Sequence, residues 1–252
     1  EPSLPRLTRR GTSRHPRSAG GPRGRTLIID IHTHSYPVSD DSSLSPDELV
    51  EEAKRIGLDG LCITDHDGFW DPRDVDALSR AHDFLVLPGC EVTTEEGHLL
   101  VYGLRKYIFG MHRAAFVREL VDAAGGVVVV AHPYRRAYRQ PSASRPGAYY
   151  EMLERATDNR VFSLADAVEV LNGRGSEQEN VFSQEVARRL GMKGTGASDA
   201  HRVEDLGTFA TEFHGRIEGL DDLISELRAG RFNPVVLDRR AGPHVRPNDA
   251  PG

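Results

Sequence analysis

The sequence predicts an α/β protein assembled from parallel β/α units. Three observations carry that expectation: short apolar runs alternate with helix-period segments, two helices open with capping boxes, and potential metal ligands recur where the apolar runs end. In barrel-like α/β proteins that end of the strands presents the functional loops. A chain of 252 residues has a length that such proteins use as one domain.

Taken in order, the strands are expected at 26–31, 60–64, 84–88, 98–104, 127–131, 167–171, 194–197 and 208–212. Several are almost wholly apolar, as strands covered on both faces require. After the first, Ser45-Pro46-Asp47-Glu48 reads as a capping box with proline at the first helical position. Leu49, Val50, Ala53 and Ile56 then form one apolar face, and Gly57 ends it. The same grammar recurs with Val117, Leu120, Val121 and Ala124 before Gly125-Gly126. It returns with Phe182, Val186 and Leu190 after a Ser176-to-Glu179 box, and with Leu220, Leu223, Ile224 and Leu227 before Gly230. Residues 134–158 break the rhythm with arginines and prolines and read as a long loop holding a short helix near 150–155.

Apolar residues make up 38% of the chain and charged residues 28%, with a net charge of -6, which describes a soluble globular protein with no general attraction to nucleic acid or acidic membranes. No run approaches the roughly 20 apolar residues of a membrane span, so a cytoplasmic location is expected. Cys62 and Cys90 sit inside strand-like runs and read as buried thiols. Residues 1–25 are rich in Arg, Gly and Pro and are expected to be a disordered extension, 26–238 the folded domain, and 239–252 a second disordered tail.

The chemistry lies at the strand ends. His32 and His34 are two apart on an extended chain and point the same way, so one metal can take both imidazoles, with Asp30 placed to orient one of them. Thr64-Asp65-His66-Asp67 sets a histidine among carboxylates, where Asp65 and Asp67 read as supporting or loop-capping residues. Glu91 follows a third apolar run and is costly to bury unless paired or metal-bound, while Gly89 lets the backbone approach. His98, His132 and the Asp199-Ala200-His201 pair complete the series. Each has an ordinary reading when taken singly, as a core histidine or a loop charge. Six of the eleven histidines at successive strand ends would require a run of independent accidents. Imidazoles and carboxylates without a thiolate suit Zn, Mn or Fe, and so many donors suggest two or three divalent ions sharing a carboxylate.

These residues resemble the PHP (polymerase and histidinol phosphatase) domain. The motifs are His32-x-His34, Thr64-Asp65-His66-Asp67, Glu91 followed by Gly97-His98, Ala131-His132-Pro133 and Ser198-Asp199-Ala200-His201. The resemblance implies a distorted (β/α)7 TIM-like barrel with a trinuclear site at the strand ends. It implies one metal on His32, His34, Glu91 and Asp199, a second on Glu91, His98 and His132, and a third on Asp41, His66 and His201. The acid stands farther from the His-x-His pair than in the family's common pattern, and Ser39-Asp40-Asp41-Ser42 offers two; the distance to Ser45-Pro46 fits the family for Asp41, with Asp40 as the adjacent alternative. Glu91, Asp199 and His201 are the expected catalytic members.

The implied reaction is hydrolysis of a phosphomonoester or phosphodiester of a small metabolite or nucleotide by a metal-activated hydroxide. Arg135, Arg136 and Arg174 are candidate phosphate holders, since the guanidinium fork matches phosphate oxygens. Two other readings are a hydrolase of short 5′-phosphorylated nucleic acid and a non-catalytic metal-binding regulatory module.

Overall fold

The computed structural model describes residues 26–139 and 147–237, so both expected tails and the middle of the arginine-rich loop lie outside the described residues. Ten strands and six α-helices follow one another as β1 (Leu27–Thr33), α1 (Pro46–Arg55), β2 (Gly60–Ile63), α2 (Pro72–His82), β3 (Leu85–Pro88), β4 (Cys90–Thr94), β5 (Gly97–Tyr102), α3 (Ala114–Ala124), β6 (Val127–Val130), α4 (Ala148–Thr157), β7 (Ala167–Asn172), α5 (Glu177–Leu190), β8 (Gly194–Ala197), β9 (Phe209–Phe213), α6 (Leu220–Ala229) and β10 (Phe232–Val236). The capping boxes at Ser45 and Ser176 both form, and α3, α5 and α6 end on glycines in the left-handed region.

The strands make two five-stranded sheets, ordered β10-β9-β1-β2-β3 and β4-β5-β6-β7-β8. The α/β class holds, but the parallel expectation is corrected in part. β1, β2 and β3 run parallel, as do β6, β7 and β8. β4, β5 and β6 instead form an antiparallel run, and β9 pairs antiparallel with β1 and β10. The ladders do not close into one barrel; isolated bridges, Thr33 to Ala200 and His66 to Glu91, join the sheets at the ends of their strands. Those bridges fall among the candidate ligands.

Core packing explains the all-valine strand. Val127 and Val129 enter the cluster shared by both sheets with Ile29, Ile31, Leu100 and Phe213, while Val128 and Val130 enter the cluster beneath α3, α4 and α5. A strand covered on both faces has no polar side. Leu49, Val50 and Ala53 of α1 close the outer face of the first sheet with Ile63 and Val75, and Leu223 and Leu227 of α6 join the shared cluster. Cys62 and Cys90 are buried free thiols. Among the described residues no helix is long and apolar enough to cross a membrane.

Candidate metal centre

Two irregular strands aim the first ligands. The β1–β2 register shifts between Asp30 and Thr33, and the β7–β8 register shifts between Glu169 and Leu171. Each shift sets an extra residue on one strand, which re-aims the neighbouring side chains. The result brings His32 Nδ1 to 2.9 Å from Glu169 Oε1, with both side chains fully buried.

Glu91 belongs to β4, an extra strand, rather than to the end of the third apolar run. In the β4–β5 hairpin Thr93 pairs with His98, so Glu91 and His98 share a face. Gly89 makes the step from β3 to β4 possible, because a Cβ there would stand 2.8 Å from both Thr64 Cγ2 and Tyr102 Cε1. His132 and Asp199 lie just beyond β6 and β8 with φ of 25° and 54°, a left-handed conformation that costs a non-glycine residue on the order of 1–3 kcal/mol.

All nine expected ligands converge, with Glu91 at their centre. Its Oε2 lies 3.2 Å from His32 Nε2, 3.2 Å from His34 Nε2 and 3.1 Å from His66 Nδ1. Its Oε1 lies 2.7 Å from His98 Nδ1 and 2.8 Å from His132 Nε2. Asp199 Oδ1 is 3.3 Å from His34 Nε2 and 3.6 Å from His32 Nε2. Asp41 Oδ2 lies 3.0 Å from His201 Nε2 and 3.6 Å from His66 Nε2, and no such contact is seen for Asp40.

Hydrogen bonds behind the rings decide which nitrogen faces inward. Ser39 Oγ donates to Asp65 Oδ1 at 2.7 Å, so it accepts from His34 Nδ1 at 3.2 Å and leaves Nε2 toward the cluster. His201 Nδ1 donates to the Asp199 carbonyl at 2.9 Å, which frees its Nε2 in the same way. Asp65 is the anchor of this side, accepting from the Ser35 amide, the Ser35 and Ser39 hydroxyls and Trp70 Nε1. Asp67 accepts from the Thr93 amide and pins the hairpin. Both aspartates therefore support the site as expected.

One expectation changes. Asp30 accepts from the backbone amides of His32 and Ser198 and touches no imidazole; Glu169 orients His32 instead. Arg135 pairs with Asp199 Oδ2 and so reaches the ligand set itself. Arg136 is exposed and donates its backbone amide to Glu179, and Arg174 is exposed on the turn after β7, where its charge acts on His201. Glu169, Ser39 and Asn172 escaped the sequence reading; a glutamate inside an otherwise apolar strand was the available signal for the first.

The electrostatics demand positive charge. Burial opposes the charge of His32, but Glu169, Asp199 and Glu91 outweigh it and raise its pKa well above the usual value. Burial also works against ionised Glu91 and Asp199, yet His32 and its neighbours hold both carboxyls well below the ordinary range. Burial lowers His201 to about 4, leaving it neutral. Asp30 is pushed up to about 7 by burial, which outweighs its hydrogen bonds from Ser198 and His32 and the charge of His32. Glu91 Oε2, Asp199 Oδ1 and His201 Nε2 are buried without an aligned hydrogen-bond partner, although imidazoles or carboxylates crowd each of them. Buried polar atoms normally find partners. Orphaned donors converging on one point fit a divalent ion.

Close groups of donor atoms comprise His32, His34 and Glu91; His66, Glu91 and His98; His34, His66 and His201; and His32, His132 and Asp199. They overlap the partition implied by the resemblance but set His132 beside Asp199, His66 beside Glu91 and His98, and His34 beside His66 and His201, with Asp41 in none of these groups. Fold and donors together define an α/β protein built around a histidine and carboxylate centre suited to divalent metal.

The chain belongs to the PHP domain family: the model of the PHP domain matches residues 30–163, and that described as PHP-associated matches 177–232. An uncharacterized protein of Methanocaldococcus jannaschii is 26% identical over 196 residues, covering 71% of this chain and 84% of that one. An error-prone DNA polymerase of Mycolicibacterium paratuberculosis is 37% identical over 70 residues, which cover 28% of this chain and only 6% of the polymerase. Among solved structures, a two-domain Bacteroides vulgatus protein described as containing a predicted PHP-like metal-dependent phosphoesterase superposes with a TM-score of 0.59 at 18% identity, covering 84% of this chain and 65% of that one. PsfC of Pseudomonas syringae gives 0.57 at 16% identity, covering 85% and 93%. These likenesses show the fold.

Proposed function

We propose that this chain is a metal-dependent hydrolase of phosphoesters, acting on a phosphomonoester or phosphodiester of a small metabolite or nucleotide with two or three Zn, Mn or Fe ions. The observation that carries it is Glu91, a fully buried carboxylate within 3.2 Å of five imidazoles, whose Oε2 has no aligned hydrogen bond. Membership of the PHP domain family supports the same reading. The two sheets then act as halves of a distorted (β/α)7 barrel whose ligand-bearing rim is bridged at the site.

His32, His34, Glu91 and Asp199 would hold one ion, Glu91, His98 and His132 a second, and Asp41, His66 and His201 a third. When bound, such ions polarise a phosphoryl oxygen and bring the pKa of a water toward neutrality. The chain's own residues do the rest. His32, His34, Glu91 and Asp199 form a floor without solvent access, while Asp41, His66 and His98 keep partial exposure, so substrate approaches from their side. Arg135 and Arg136 line a cavity of about 280 Å³ with His98, His132 and Asn159, where a phosphoryl group meets cationic charge beside the donor cluster. Asp199 steers Arg135 by pairing with it. The complete ligand set favours turnover over a purely regulatory role.

The test is phosphate release from phosphomonoesters, nucleotides and 5′-phosphorylated oligonucleotides by Mn-, Zn- and Fe-loaded protein. Activity that depends on metal and disappears in Glu91→Ala is expected. Inert metal-loaded forms, together with a Glu91→Ala variant that keeps a full metal complement, would refute the proposal.

A further inference from the structure

One buried side chain outside the ligand set touches two of the segments that carry it and reaches a third through Asn172. Glu169 of β7 is 1% exposed. Its Oε1 lies 2.9 Å from His32 Nδ1 on β1. Its Oε2 accepts from the His132 backbone amide at 2.8 Å and from Asn172 Nδ2 at 2.9 Å. Asn172 Nδ2 also donates to Asp199 Oδ2 at 3.1 Å, so the chain of contacts reaches the loop after β8. His132 and Asp199 are the two ligands held at positive φ, a conformation that persists only where surrounding contacts hold it.

We infer that Glu169 is a positioning residue that fixes the tautomer of His32, keeping the proton on Nδ1 and the lone pair of Nε2 on the metal side, while its second oxygen fixes the His132 turn. This rests on the metal reading above. A carboxylate behind a metal-binding imidazole raises its basicity and sets its orientation, and loss of such a partner weakens metal binding by roughly 10–100-fold.

The chemistry of Glu169→Gln makes the inference sharp. Both Glu169 oxygens accept, and Oε2 receives two amide donors. An amide in its place can satisfy those donors only by keeping its oxygen there, which turns its NH2 toward His32 Nδ1. His32 must then accept at Nδ1 and carry its proton on Nε2, the atom that faces Glu91 at 3.2 Å. The opposite orientation sets NH2 against two N–H groups and leaves them unsatisfied.

The experiment has two arms on the full chain. In the first, Co2+ affinity is measured for wild type, Glu169→Gln, His32→Ala and the double variant, with near-UV circular dichroism as the check on folding. Glu169→Gln is expected to bind Co2+ about 10–100-fold more weakly with its spectrum unchanged. The double variant is expected to be no weaker than His32→Ala, because the carboxylate acts through that ring. Wild-type affinity in Glu169→Gln, or losses that add in the double variant, would overturn the inference. The second arm needs no variant: long-range proton–nitrogen NMR of the Zn-loaded wild type should find the His32 proton on Nδ1, and a proton on Nε2 overturns the inference. A wild-type chain that binds neither ion removes the metal reading itself, and this inference with it.

Discussion

Gly89→Ala perturbs the step that delivers Glu91 to the site, and its effect can be worked from the geometry. The new methyl would meet Thr64 Cγ2 and Tyr102 Cε1, each at 2.8 Å. Neither neighbour can retreat cheaply, since Thr64 and Tyr102 are fully buried and the Tyr102 hydroxyl donates to the Ile31 carbonyl at 2.5 Å. Overpacking of this kind costs about 1–3 kcal/mol. A backbone that alanine can adopt returns roughly 0.4–1 kcal/mol through the unfolded state. At mid-range the net loss is about 1.3 kcal/mol, or a fall in Tm of roughly 3–5 °C for a chain of this size. Relief must come from shifting β4, so Glu91 moves and Co2+ affinity falls as well. Thermal melts in chelator and Co2+ titrations read the two effects separately. Adding Thr64→Ser removes the crowding methyl but keeps the hydroxyl that binds the Thr33 backbone, so the double variant should recover part of the loss. A Gly89→Ala protein that melts at or above the wild-type temperature refutes the reasoning.

Asp41→Asn should lower the bound-metal count measured by elemental analysis, whereas Asp40→Asn should leave it unchanged, because only Asp41 reaches His66 and His201. Asp65→Ala strands four donors and should cost at least about 3 kcal/mol in chemical denaturation, since hydrogen bonds to a charged acceptor are worth ~1.5–3 kcal/mol each; a change under ~1 kcal/mol would contradict the anchor role. In chelator, stability should be greatest in mildly acidic solution. His32, raised above its ordinary 6.5, contributes stability below that value and loses it as pH climbs through the elevated pKa. Asp30, raised from 3.8 to about 7, loses stability over that interval as pH rises, offset up to pH 6.5 by His201, which is lowered to about 4 and gains stability as pH rises from that value to 6.5, while Glu91 and Asp199, both lowered, lose theirs only as pH falls through the depressed values. Melts from pH 5 to pH 9 that show rising stability throughout would count against this balance, and Zn2+ should offset the loss at the alkaline end.

The features legible in the sequence are those set by neighbours along the chain. Ser45 and Ser176 announce their helices because a cap acts over three residues. The valine run marks a doubly covered strand. Helix α2 was not anticipated because Val75 is its one fully buried residue, which leaves little apolar period to read. The β4–β5 hairpin was obscured because β3 and β4 are separated by Gly89 alone, so two strands that pair with different partners look like one run and its end. β10 is short, carries Pro234 and follows α6 at the sheet edge, where strand signals are weak.

By itself the sequence determined the α/β class, the family resemblance and the nine donors, because apolar periodicity, caps and ligand residue types are local properties. Only the tertiary structure decided that Glu91 is the hub, that Asp41 rather than Asp40 reaches the histidines, that Arg135 pairs with Asp199, and that Glu169 instead of Asp30 stands behind His32. The reason is geometric. Which of two buried carboxylates faces an imidazole depends on register shifts in β1 and β7 and on how the two sheets meet, and those relations join residues as far as 168 positions apart in the chain.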